Sequence, residues 1–174
     1  MANVPYADLS DPDIKPLADR IVAERGSVLH LYQMLLHSPP VAEGWLTYLT
    51  AIRQTSTLPG KLREMVIMRV AIINGAPYEA DQHAPIALQE GMTQAQLDEL
   101  EGWRDSTLFD ETECAVLAYT DAMTRNVQVE PEVFAAVQQR FSPRHLIELT
   151  ATVAAYNMVS RFLEALQVHS HDAR

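Results

Sequence analysis

Residues Arg63–Gly91 read REMVIMRVAIINGAPYEADQHAPIALQEG, and this stretch decides the fold. Apolar residues recur at helical spacing on both sides of Gly75-Ala76-Pro77, which predicts two successive helices, Lys61 to Asn74 and Pro77 to Glu90. Glycine tolerates the left-handed backbone that ends a helix, and proline fits the first turn of the next. Into these oily helices the chain sets Glu64, Glu79 and His83. Desolvating a charged group is costly, so each of the three needs a partner or a chemical task.

Outward from this centre the pattern stays helical. Pro5, Pro12 and Pro16 mark residues 1–15 as an extended arm. Leu17, Ile21, Val28, Leu31 and Leu35 form one helical stripe with Gly26 as its weak point, which places His30 and His37 on a shared face. Val41 to Arg53 follows, with Trp45, Leu46, Leu49 and Ile52 as its stripe. Thr93 is expected to cap a short helix through Leu100, and Thr107 to Arg125 and Pro131 to Phe141 give two more. Ser142-Pro143 opens a long final helix reaching about Val168. No segment shows sustained strand alternation. The reading is all-α, a single domain over residues 1–174.

Composition limits what such a domain can do. The 174 residues are 48% apolar, enough for one proper core. Acids outnumber bases by 23 to 13, a formal charge of −10, which argues against nucleic acid or an anionic membrane as partner. No run reaches the ~20 apolar residues a membrane span requires. The N-terminus lacks the charged start and apolar run of a secretory signal, so a cytoplasmic location is expected. Cys114 is the single cysteine, which excludes an intramolecular disulfide, a CxxC pair and a thiolate metal cluster.

Glu79 and His83 are four apart and share a helix face, so the carboxylate can orient or charge the imidazole. Glu64 reaches them only if the two helices cross favourably. A surface Glu–His pair with a helix-start glutamate accounts for the same spacing without chemistry. A metal held by Glu64, Glu79 and His83 is a further alternative. Tyr156, Asn157, Ser160 and Arg161 make a polar tetrad in the long final helix, and Arg161 can pair with a carboxylate.

The order Glu64, then Ala76, Glu79 and His83, then Ala87 and Gly91 resembles the signature of the carboxymuconolactone decarboxylase and AhpD-like superfamily. The likeness is strongest from Leu58 to Leu97 and continues more weakly through Leu117-Ala118-Tyr119 and the Leu146 to Arg161 helix. The peroxidase branch of that superfamily carries a CxxC pair, whose positions here hold Ala76 and Glu79. Disulfide-cycling peroxidation needs an attacking thiolate and a resolving thiol, so that activity is excluded. The resemblance implies an AhpD-like helical bundle that assembles into homo-oligomers, trimers or hexamers, with the site near a subunit interface.

It implies, further, a cofactor-free lyase using acid/base chemistry on a small organic acid or lactone, with neither metal nor prosthetic group. Glu64, Glu79 and His83 are then the catalytic candidates, and Arg63, Arg69, Tyr156 and Arg161 the candidate substrate contacts. A ligand-binding oligomer that kept the fold without the chemistry is the alternative from another class.

Overall fold

In the computed structural model, which describes residues 2–172, helices and turns account for all regular structure and no strand occurs among the described residues. The helices are α1 (Lys15–Arg25), α2 (His30–Leu35), α3 (Pro39–Thr50), α4 (Gly60–Asn74), α5 (Pro77–Gln89), α6 (Gln94–Glu99), α7 (Glu111–Asn126), α8 (Pro131–Gln138) and α9 (Pro143–Leu166). The all-α reading holds. The chain forms two compact units, one running to Thr55 and resuming at Leu163, the other spanning Ser56–Phe162.

The first unit differs from the sequence expectation in one respect. The Leu17 to Leu35 stripe is two helices, because Gly26 takes a left-handed φ of 81° and closes α1 with its N–H on the Val22 carbonyl. His30 therefore opens α2 while His37 lies past its end, and the two share no helix face. His30 is buried against the Tyr6 ring at 4.8 Å, and His37 Nε2 meets the Pro5 carbonyl at 2.7 Å. The arm is anchored by these contacts, by the Asn3 N–H on the Leu166 carbonyl at 2.8 Å, and by the Tyr6 hydroxyl on Asp172 at 2.7 Å.

In the second unit, α4 is buried on every side from Leu62 to Ala71, as a helix without a polar face must be. It packs chiefly on α5 and α7. Met65, Met68, Ala87, Met92, Leu100, Trp103, Phe109 and Leu117 make one apolar cluster around it. The turn out of α4 is a Schellman motif: Gly75 adopts φ 63°, its N–H binds Ile72, and the Ala76 N–H binds Ala71 at 2.9 Å. With Pro77 already in α5, only two residues separate the helices.

Thr93 caps α6 in a full capping box with Gln96, as expected. Helix α7 starts at Glu111 and not at Thr107, because Asp110 forms the stronger start, a capping box with Glu113. The Ser142 hydroxyl accepts the His145 amide at the start of α9.

Candidate active site

The helix pair α4–α5 brings Glu64 and His83 together. Glu64 Oε2 lies 2.7 Å from His83 Nδ1, with Glu64 1% and His83 6% exposed. Arg63 donates from Nε to the other Glu64 oxygen at 3.0 Å and from Nη2 to Glu90 at 3.1 Å. Burial resists ionisation of Glu64 most strongly, but the hydrogen bonds and charges of His83 and Arg63 together outweigh it, so its carboxyl lies below the ordinary 4.5. An ionised carboxylate only accepts hydrogen bonds, so Nδ1 carries the shared hydrogen and Nε2 is the basic nitrogen of the neutral ring.

A pH consequence follows from the direction of that shift. A carboxyl with a lowered folded value contributes stability above its ordinary value and loses it as pH falls through the folded one. Denaturant midpoints measured from about pH 6 down to about pH 3 should therefore fall less steeply for Glu64→Gln than for the natural chain.

Glu79 is fully enclosed, at 2% exposure, and its carboxylate receives the Ser160 hydroxyl from α9. The same hydroxyl lies 2.8 Å from the Tyr156 carbonyl one turn earlier. The Tyr156 ring meets His83 edge to face, centroids 5.1 Å apart and planes at 89°. The polar tetrad of α9 thus divides. Tyr156 and Ser160 face the Glu79–His83 side of α5, whereas Asn157 bonds Asn74 and Thr124, and the exposed Arg161 turns back on Asn157 at 2.5 Å.

Of the arginines, Arg63 touches the pair and Arg69 is committed elsewhere. Arg69 grips Asp121 at 2.6 and 3.0 Å and the carbonyls of Leu100 and Glu101 at 3.0 and 2.9 Å. It also lines a cleft of about 520 Å³ with Arg104, Asp121, Arg125 and Glu130. Among the described residues, no three His, Cys, Asp or Glu side chains are arranged to hold a metal ion. Glu64 turns to His83 and Arg63, while Glu79 turns to Ser160.

The thiol of Cys114 is pushed up by burial first, then by Asp110 and Glu113. That disfavours the thiolate a peroxidase would use. Ser160 stood out from sequence only as one of the polar tetrad in the final helix, with no role assigned, and Glu90 was not singled out. Ser160 carries a signal in its four-residue spacing from Tyr156, and Glu90 carries none.

The site is an enclosed Glu–His pair on an all-helical fold. Residues 39–122 match the carboxymuconolactone decarboxylase family. Over that stretch the chain is similar to the family, and its single cysteine, Cys114, rules out a CxxC pair. Solved structures agree in fold at low identity. One is a protein of unknown function from Agrobacterium tumefaciens described as a putative antioxidant defence protein AhpD: 22% identity, TM-score 0.73, 79% of this chain and 94% of that one. Another is an AhpD-core, peroxidase-related protein from Ralstonia eutropha: 17% identity, TM-score 0.83, 98% and 93%. A third is the debrominase Bmp8, a variant of which was solved with 2,3,4-tribromopyrrole: 20% identity, TM-score 0.81, 96% and 90%. No curated protein matches the chain.

Proposed function

We propose that the chain is a cofactor-free lyase acting by general acid/base chemistry on a small organic acid or lactone. One observation carries the reading: a buried His83 whose Nδ1 is held by an ionised Glu64 at 2.7 Å. That pairing fixes the tautomer, stabilises the imidazolium and presents Nε2 for proton transfer. In decarboxylation of a carboxylated enol-lactone, the bond to the carboxylate carbon breaks and its electron pair moves into the adjacent unsaturated carbonyl. Carbon dioxide leaves, and the resulting enolate takes a proton at carbon.

His83 first takes a proton from solvent at Nε2 and, as the imidazolium that Glu64 stabilises, donates it to that carbon and returns to the neutral ring. Glu64 is its orienting partner, and Glu79 with Ser160 the polar wall beside it. Arg63 and the Tyr156 ring are the neighbours of the pair best placed to meet a substrate. Arg69 and Arg161 are contacts only for a substrate reaching past their present partners. The test is a screen of aromatic-catabolic lactones and keto acids with the natural chain beside His83→Ala. Turnover that His83→Ala retains in full would sink the assignment.

The near-complete burial of His83 favours a second reading, a ligand-binding protein that kept the fold without the chemistry. It predicts saturable binding of the same compounds with no product formed.

Oligomerisation belongs to the same proposal. Ile147 at 69% and Val127 at 81% exposure leave apolar surface that a homo-oligomer would cover. Sedimentation velocity is expected to give a trimer or hexamer, and Ile147→Lys to shift it toward smaller species. No described helix is long and apolar enough to cross a membrane, and a cytoplasmic location is proposed.

A further inference from the structure

Glu90 lies just past the end of α5, outside the pair described above, yet it is tied to that pair through Arg63. Glu90 accepts from Arg63 Nη2 at 3.1 Å, Arg63 Nε donates to Glu64 at 3.0 Å, and Glu64 meets His83 at 2.7 Å. Side-chain exposure falls along this line from 40% at Glu90 to 10% at Arg63 and 1% at Glu64. The line runs from solvent to the imidazole.

The other side of the Glu90 carboxylate rests on Gly60, the first residue of α4, so closely that a β-carbon there would collide with it. Helix α4 has no acid in its own first turn, and Pro59 before it offers no side-chain cap. Glu90 therefore brings a negative group from α5 to the positive end of α4. Only a residue without a side chain leaves room for it at position 60.

We propose that Glu90, seated on Gly60, is a positioning residue for the Glu64–His83 pair. A guanidinium fork matches a carboxylate through two parallel bonds. An Arg63 freed from Glu90 can rotate to take both oxygens of Glu64, in competition with His83. Held by Glu90 at Nη2, Arg63 presents Nε to one oxygen and leaves the second to His83 Nδ1. The asymmetry of the Glu64 contacts is thus imposed from outside the pair. The inference deepens the acid/base reading and rests on it for any effect on turnover.

Two variants displace the Glu90 carboxylate by independent routes. Glu90→Ala deletes it. Gly60→Ala keeps every charge, suits a helix better than glycine, and pushes the carboxylate off its seat. In the full chain labelled with ¹⁵N-histidine, the Nδ1–H resonance of His83 reports the Glu64 bond without any substrate. Both variants are expected to move that resonance upfield, toward a weaker hydrogen bond. Where a substrate is in hand, kcat should drop about tenfold with KM little changed, the mark of lost geometry and not of lost binding.

A resonance unmoved in both variants would overturn the proposal. So would a shift in Glu90→Ala with none in Gly60→Ala, since charge and not placement would then be responsible. If both resonances move while His83→Ala retains turnover, the positioning stands and the assigned chemistry is what fails.

Discussion

Replacing His83 with alanine is expected to lower turnover by about 10²–10⁴-fold, the range a positioned general acid contributes. The loss should fall on kcat more than on KM, because proton delivery is required in the transition state and not for binding. Glu64→Gln is expected to cost less. An amide oxygen can still accept from Nδ1, but it carries no charge to stabilise the imidazolium. The two single changes should not be additive, since each disables the same pair. Steady-state kinetics of both singles and the double variant on the first substrate identified will measure this coupling. Equal losses that simply multiply would mean that the 2.7 Å contact has no part in the chemistry.

Truncation of Asp121 to alanine is expected to be the most damaging single change to stability, about 3–5 kcal/mol. Asp121 is buried and accepts from Arg69 at 2.6 and 3.0 Å, from Trp103 Nε1 at 3.3 Å and from Arg104 at 3.4 Å. Its loss leaves the Arg69 guanidinium, 4% exposed, as an uncompensated buried charge. Arg69 also holds the Leu100 and Glu101 carbonyls, so the segment after α6 should loosen with it. The double change Arg69→Met with Asp121→Leu removes both charges and should cost much less than Asp121→Ala alone. Urea denaturation of the three proteins gives the comparison, and a double variant as unstable as the single would refute the buried-charge explanation.

The candidate site was partly legible in the sequence. Glu64, Glu79 and His83 stood out as polar groups in apolar helices, and all three are buried in the structure. Their partners were less legible. Spacing four apart suggested Glu79 as the neighbour that orients His83, whereas the Nδ1 bond goes to Glu64 on the preceding helix. Glu79 meets Ser160, more than eighty positions further along the chain. Arg69 was expected as a candidate substrate contact, and only the packing of α4 on α7 reveals Asp121 beside it.

By itself, the sequence determined that Arg63–Gly91 forms two helices parted by a glycine-closed turn, and that no thiol pair exists for peroxide chemistry. Those features depend on backbone preference, capping and apolar period, all written within a few neighbouring residues. Tertiary structure alone decided which carboxylate holds His83, that Ser160 faces Glu79, and that Glu90 reaches Gly60 past Arg63. Contacts between helices depend on crossing angle and rotamer. Those are set by close packing of the whole core and not by any local run of residues.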